Sequence, residues 1–158
     1  MTLATYARAL LAGMVALVVN FALLGLADRL WIVTARGGFQ RLVKLWTGPV
    51  LHRLGVDRIW IALHLPDPNG ALFTNGFKVA VGLAFAVIYV WIQPLLPGSA
   101  PEKGLLYALL VWVVNAAVVL PALGQGFAGI NTLSSVGILS FAIAHTAFFL
   151  VLAGLSES

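Results

Sequence analysis

The sequence predicts an all-α fold, an integral membrane four-helix bundle with an interfacial amphipathic helix in its first loop. Of the 158 residues, 61% are hydrophobic and 9% are charged, whereas charged residues make up about 25% of an ordinary soluble domain. Four apolar stretches are each long enough to cross a bilayer as a helix, which takes about 20 residues. We therefore expect a single membrane domain over residues 1–158.

The loops between the predicted spans differ greatly in length. A proline-rich turn at 97–103 separates the second span from the third, and another short turn at 125–131 separates the third from the fourth. The first loop, 28–75, is much longer. The predicted spans cover residues 6–27, 76–96, 104–124 and 132–155.

The first loop contains a pattern typical of an amphipathic helix. In GGFQRLVKLWTGPV, polar and apolar residues fall on opposite sides of a helix with 3.6 residues per turn. A basic helix with a tryptophan at its apolar edge is typical of a segment lying in the membrane interface; packing against the spans is the alternative. The basic residues expected to attract anionic lipid are Arg41, Lys44, Arg53 and Arg58.

The distribution of basic residues predicts how the chain is threaded. Six of the nine Lys and Arg residues lie in the first loop, and Lys78 follows at the start of the second span. The positive-inside rule therefore predicts a cytoplasmic first loop, with both termini outside. The net charge of +4 does not predict nucleic-acid binding, because that needs a basic face on a folded soluble domain.

Catalytic chemistry is not evident in the sequence, so an enzymatic function is left uncertain. The absence of cysteine excludes disulfides, thiolate metal sites and covalent haem attachment within this chain. Paired carboxylates inside the spans and known nucleophile, metal or phosphate-loop motifs are also absent. A surface site combining Asp57 with His52 or His64 is a minor alternative to a solvated loop.

Three polar residues within the spans need partners, because an unpaired amide in an apolar setting is costly. Asn115 lies in the middle of LLVWVVNAAVVLP, and His145 lies at a similar predicted depth in the next span. We expect a hydrogen bond between these two side chains, with Asn20 as a possible third member. The sequence therefore predicts a polar contact inside the membrane.

His145 also has functional interpretations, because ionisable groups within a membrane often mark proton paths, substrate sites or cofactor ligands. Haem would need a second axial ligand, for which the chain offers Met14 or the His145 of another copy. No cofactor or metal is predicted, because neither ligand pair is compelling.

Two further patterns bear on helix geometry. Pro121 has no N–H and is expected to distort the third span near its end. Pairs of small residues four positions apart are expected to allow close helix approach. They are Ala9 and Gly13, Ala12 and Ala16, and Gly82 and Ala86.

The second half of the chain carries a Pro-Gly turn at 97–98, K-G-L-L at 103–106, V-L-P at 119–121 and a histidine in the fourth span. In these features, residues 76–155 resemble a family of uncharacterised bacterial four-helix integral membrane proteins. The first loop is longer and more basic than in that family. The resemblance implies the four-span topology and implies no activity.

These observations predict a small multi-pass protein of the bacterial inner membrane. We expect an accessory or interaction subunit of a larger membrane complex, or a homo-oligomer, in contact with anionic lipid at its first loop. A small transporter or channel is the alternative, and a b-type haem protein or membrane enzyme comes third. A transporter would use a polar stripe formed by Asn20, Asn115, Ser140 and His145.

Overall fold

The computed structural model describes residues 2–158, whose regular secondary structure is entirely helical. Four segments are long and apolar enough to cross a membrane: Leu3–Arg29, Ala71–Leu95, Ala100–Ala122 and Ser135–Glu157. The α-helices are α1 (Leu3–Arg29), α2 (Gly38–Arg53), α3 (Val56–Ala62), α4 (Ala71–Ile92), α5 (Ala100–Val114), α6 (Leu120–Ala122) and α7 (Ser135–Glu157). A π-helical turn, Asn115–Val119, joins α5 to α6, and short 3-10 turns cover Gln93–Leu95 and Phe127–Gly129.

All four predicted spans are helical, but capping residues make two of the helices begin at other residues than predicted. The third begins at Ala100 rather than at residue 104, because Ser99 and Glu102 form a capping box in which the Ser99 N–H donates to Glu102 Oε2 at 2.6 Å. The fourth begins at Ser135 rather than at residue 132, because the Ser134 hydroxyl accepts the Gly137 N–H at 3.1 Å. Hydropathy alone does not register such caps, so the predicted starts were wrong by a few residues.

Helix α1 packs against both α4 and α7, and α5 packs against α7. Small residues allow these approaches, as predicted. A Cβ built on Gly13 would lie 2.8 Å from the Ala86 Cβ, and one built on Gly82 would lie 2.5 Å from Leu17 Cδ2. The pairing of α5 with α7 uses Gly104, whose added Cβ would lie 2.9 Å from the backbone oxygen of Phe149.

Helices α4 and α5 meet through aromatic side chains. The rings of Tyr89 and Tyr107 stack with centroids 5.7 Å apart, and Tyr107 lies 4.5 Å from Phe149 of α7. The Tyr107 hydroxyl donates to the backbone oxygen of Phe85 at 3.2 Å. These contacts lie toward the end that carries both termini and the α4–α5 turn, which we call the terminal end; the opposite end is the loop end.

The segment before α2 covers the loop end. Gly137 at the start of α7 leaves no room for a Cβ beside the backbone oxygen of Val33. A Cβ built on Gly38 would lie 3.5 Å from Leu120 Cδ2 of α6. The Gln40 side chain is 6% exposed, and its Nε2 donates to the Thr74 hydroxyl at 3.3 Å. The first loop is thereby held against the ends of the spans.

The distortion expected at Pro121 takes the form of the π-helical turn that precedes it. The Leu120 N–H donates to the carbonyl of Asn115, five residues earlier. In a regular α-helix the proline ring would clash with the carbonyl of Ala117. Widening the turn relieves that clash, and it makes Asn115 the first residue of the irregular segment.

Candidate ligand cavity

A cavity of about 460 Å³ lies among the four long helices, toward the loop end. Its volume is within the range of small-molecule sites, roughly 300 to 1,000 Å³. Helices α1, α4, α5 and α7 form its walls, and the segment before α2 covers one end. The lining is mainly apolar and aromatic, and includes Phe21, Phe77, Phe85, Val111, Phe141 and Phe148.

The cavity opens sideways between α4 and α5. Ile88 of α4 and Leu110 of α5 both line it, yet they are 38% and 54% exposed at the molecular surface. On the opposite wall, Phe141 and Phe148 of α7 are 7% and 5% exposed. The opening therefore lies on the outer side of α4 and α5, between these two apolar helices. Helix α7 forms the closed back wall.

The structure brings Asn20, Asn115 and His145 together in the lining of this cavity. Asn20 Nδ2 donates to the backbone oxygen of Ala144 at 2.9 Å, so α1 and α7 are joined by a polar contact. Ser140, the fourth member of the proposed transporter stripe, does not line the cavity. Asn115 and His145 were expected at a similar depth, with Asn20 as a possible third member, and all three line the cavity. Their hydrogen-bond partners differ from those expected.

The expected hydrogen bond between Asn115 and His145 is not formed. His145 Nδ1 lies 3.1 Å from the backbone oxygen of Phe141, one turn earlier in α7. Since a carbonyl oxygen can only accept, Nδ1 is the donor and Nε2 keeps its lone pair in the neutral ring. The Phe141 carbonyl therefore takes the N–H of the imidazole, and Nε2 is left as an acceptor.

Asn115 makes no side-chain hydrogen bond with any residue of the described chain, 2–158. Its amide is half-buried in the cavity lining at the start of the π-helical turn. A polar group held in apolar surroundings without a partner is costly, and π-helical turns are frequent at functional sites. Asn115 is therefore available to a ligand or to water in the cavity.

The candidate second haem ligand is not brought to His145. Met14 is 56% exposed and does not line the cavity. Within residues 2–158, no group of three or more His, Cys, Asp or Glu side chains has the arrangement of a metal site. This chain alone therefore does not supply the Met14–His145 pair that the sequence had offered.

A second space, a polar depression of about 220 Å³ that is more open to the surroundings than the cavity, adjoins it at the loop end, and we call it the basic chamber. Arg36, Gly37 and Gln40 line both the cavity and the chamber. The remaining residues of the chamber are Arg41, Lys44, Asn69 and Thr74. An apolar space and a cationic space are thus joined through shared walls.

The cations around these two spaces differ in their contacts. Arg36 forms an ion pair with Asp28. Lys44 donates to Asn69 Oδ1 at 3.1 Å and to the Pro68 backbone oxygen, and it lies 5.5 Å from the ring centre of Phe73. Lys78, which lines the cavity, has no carboxylate partner among residues 2–158, and neither has Arg41.

The predicted basic face is divided by the structure. Arg41 and Lys44 line the chamber, whereas Arg53 and Arg58 are exposed and lie outside it. Arg53 ends α2, and Arg58 belongs to α3 beyond the turn at Gly55. The charge pattern in the sequence identified the cationic segment. Because α2 ends at Arg53 and the chain then turns, only the cations nearer the start of α2 line the chamber.

Of the two pairs offered for the minor loop site, Asp57 with His52 or with His64, the structure forms the first. His52 Nδ1 lies 2.9 Å from Asp57 Oδ2, with both side chains substantially exposed. Loss of surrounding water raises the pKa of the Asp57 carboxyl, but hydrogen bonds from His52 and from the Arg58 backbone lower it to below its ordinary value. An exposed pair of this kind joins α2 to α3, and neither residue lines the cavity or the adjoining polar space.

A polar network at the terminal end was missed by the sequence analysis. The buried Tyr89 donates its hydroxyl to Glu157 Oε1 at 2.5 Å, and Lys103 Nζ lies 2.9 Å from Glu157 Oε2. This network joins α4, α5 and α7. The presence of Glu157 at the end of an apolar span was visible in the sequence, but its partners depend on how the helices pack.

Arg36, Gln40 and Lys78 were also missed as candidate ligand contacts. Lys78 could have been found, since a lone cation in an apolar span is a functional signal. Arg36 and Gln40 reach the cavity only because the segment before α2 folds over the loop end.

No protein-family model, curated protein or solved structure matches the chain.

Proposed function

We propose that this protein is a multi-pass membrane protein that binds the apolar chain of a lipid or lipid-like molecule in the cavity between α4 and α5. The sideways opening beside Ile88 and Leu110 is the observation that carries the proposal. Both residues belong to helices of membrane-spanning length. A molecule dissolved in the bilayer would enter there without passing through water.

Packing energetics supports an apolar occupant. Apolar side chains gain dispersion contacts from an apolar group that packs against them, and here a space of about 460 Å³ is lined mainly by apolar groups. Lipid chains surround the opening of a membrane-embedded protein and would make those contacts when they enter. The amide of Asn115 would give a polar group on the occupant a hydrogen-bond partner.

The proposed placement in the bilayer follows from the surface of the first loop. Four long helices form the membrane bundle, and α2 lies in the interface, where Trp46 and Val50 are 61% and 54% exposed and face the hydrocarbon. The basic first loop lies in the cytoplasm of a bacterial inner membrane. Both termini then lie on the opposite side.

An accessory-subunit role is the second candidate, and the same opening favours it. A partner's helix could lie along the groove between α4 and α5, over Ile88 and Leu110. A helix with its side chains is about 10 Å wide, so it would cover the mouth and leave the interior of the cavity to smaller molecules. Lipid retention inside the cavity therefore separates the two candidates.

The test is to narrow the mouth of the cavity and measure retained lipid. Leu110→Trp places a bulky ring at the mouth, whereas Leu109→Trp is a matched control on the adjacent residue, which is 57% exposed and does not line the cavity. Native mass spectrometry of protein released from bilayer nanodiscs would count bound phospholipid. We expect retention by the wild type and by Leu109→Trp, and loss in Leu110→Trp.

Equal lipid retention in all three proteins would overturn the proposal. If the wild type instead carries a partner protein that is lost in Leu110→Trp, and it retains no lipid, the accessory-subunit role is favoured. Thermal unfolding in detergent should be similar for the two tryptophan variants, because both replace exposed leucines.

A further inference from the structure

We infer that the occupant is an anionic amphiphile, with its charged head group in the basic chamber and its apolar chain in the cavity. This inference rests on the proposed function and adds the chemistry of the head group. The apolar cavity and the polar chamber share the walls formed by Arg36, Gly37 and Gln40. A continuous site that is apolar on one side and cationic on the other matches the shape of such a molecule.

Charge is the first argument. Four cations line the two spaces, namely Arg36, Arg41, Lys44 and Lys78, and Asp28 is the one carboxylate paired with any of them among residues 2–158. Arg41 and Lys78 have no carboxylate partner in the described chain. An anionic group placed in the chamber would balance this excess of positive charge, and charge-assisted hydrogen bonds are the stronger ones.

The start of α2 adds a second argument. Gly37 precedes this 16-residue helix, which has neither a side-chain cap nor an acidic residue in its first turn. The Gly38 N–H donates to the Ala35 carbonyl at 3.0 Å. The N–H groups that follow it in the first turn lack partners within the helix, and the helix dipole favours negative charge there. Since Gly37 lines both spaces, an anion in the chamber would lie beside this helix start.

Depth is the third argument. Lys78 lies seven residues after the start of α4, which places its Cα about 10 Å along the helix. A lysine stem extends its ammonium group toward the polar end of a span. Lys78 therefore adds a positive charge to the wall of the cavity, on the side toward the loop end, where the head group of a bound phospholipid would enter the chamber.

The experiment uses the full chain in nanodiscs made of equal parts phosphatidylglycerol and phosphatidylcholine with identical acyl chains. Native mass spectrometry then measures which lipid the protein retains. We expect the wild type to prefer phosphatidylglycerol, and we expect Lys78→Gln and Arg36→Gln each to reduce that preference about tenfold, the value of one charge-assisted contact. Arg53→Gln is the matched control, since it removes an exposed cation that lines neither the cavity nor the chamber.

The outcomes separate this inference from the proposed function. If the wild type retains both lipids equally and Leu110→Trp retains neither, the cavity binds a chain and the anionic head group is wrong. If Arg53→Gln lowers the preference as much as Lys78→Gln, general surface attraction explains it and the inference is also wrong. Lys78→Gln breaks no ion pair, so misfolding through Asp28 does not confound it as it could in Arg36→Gln.

A further arm distinguishes a lipid head group from a free anion. Inorganic phosphate is added at millimolar concentration to detergent-purified protein that carries phosphatidylglycerol. We expect the lipid to remain bound, because phosphate alone does not fill the cavity. Displacement of the lipid would show that the chamber binds free phosphate, and it would overturn the inference that the occupant is an anionic amphiphile.

Discussion

Asn20 of α1 donates a hydrogen bond to the backbone oxygen of Ala144 in α7, with 2.9 Å between the two atoms. This contact joins two helices that pack along each other, and its acceptor residue directly precedes His145 in the sequence. Asn115, in contrast, lines the same cavity without a side-chain partner in the described chain. Two asparagines within apolar spans therefore have different roles, one in stability and the other available to a ligand.

Replacing these two asparagines should have different effects on stability. Asn20→Leu should lower the unfolding free energy by about 0.6 kcal/mol, and by up to roughly 1.7, because it removes a hydrogen bond between helices in the membrane. Asn115→Leu should leave stability unchanged or raise it, since it removes an amide that has no partner. Unfolding titrations in mixed micelles measure both variants.

The pair Asn115 and His145 should not couple. Since the imidazole binds the Phe141 carbonyl instead, a double-mutant cycle with Asn115→Leu and His145→Leu should give additive effects. A coupling energy above about 0.5 kcal/mol would show that the two side chains are in contact after all.

Close approach of α5 and α7 predicts a strong effect at Gly104. Gly104→Ala would place a Cβ 2.9 Å from the backbone oxygen of Phe149, and overpacking of this kind costs about 1 to 3 kcal/mol. Gly25→Ala is the control, because a Cβ there meets nothing within 4 Å and alanine favours the helix. Thermal unfolding in detergent should rank Gly104→Ala well below Gly25→Ala, and equal stabilities would contradict this packing.

Loss of the Glu157 carboxylate should destabilise the terminal end. Glu157→Ala leaves the buried Tyr89 hydroxyl and the ammonium of Lys103 without their shared acceptor, at a cost of about 1 to 3 kcal/mol. Ser158→Ala, one residue later, is the control because it leaves both contacts in place. Hydrogen exchange at the end of α7 should rise in Glu157→Ala only. Unchanged exchange would mean that the network contributes little.

The orientation of the chain can be measured directly, because it has no cysteine. Single cysteines at Pro68 and Pro97 mark the loop end and the terminal end, and both residues are exposed. The excess of Lys and Arg in the first loop predicts that an impermeant thiol reagent labels Pro97→Cys on intact cells and does not label Pro68→Cys. Labelling of Pro68→Cys alone would invert the topology.

Hydropathy was sufficient to predict the four apolar helices, because each is a long run with few charges. It missed their starts, which depend on caps such as Ser99 with Glu102. The similar depth of Asn115 and His145 was also predictable from the rise per residue, with Asn20 as a possible third member of their contact. Their hydrogen-bond partners were not predictable. Asn20 and His145 bond to backbone carbonyls, and no sequence pattern specifies which carbonyl lies within reach of a side chain.

The cavity itself could not be predicted from the sequence. It exists because α4 and α5 meet through Tyr89 and Tyr107 toward one end and leave a space toward the other. Arg36 reaches it through the fold of the segment before α2. Lys78 was the one visible signal, as a cation within an apolar span, and its charge also contributes to the predicted orientation of the chain.

The most direct test of lipid binding is photolabelling with a phospholipid that carries a diazirine near the middle of its acyl chain. In a bilayer this probe labels every exposed surface, but Phe141 and Phe148 line the back wall of the cavity and are only 7% and 5% exposed, so they are largely shielded from lipid outside it. We expect adducts on these two residues, reduced in Leu110→Trp and unchanged in Leu109→Trp. Adducts confined to outward-facing residues such as Leu109 and Leu139 would contradict the account.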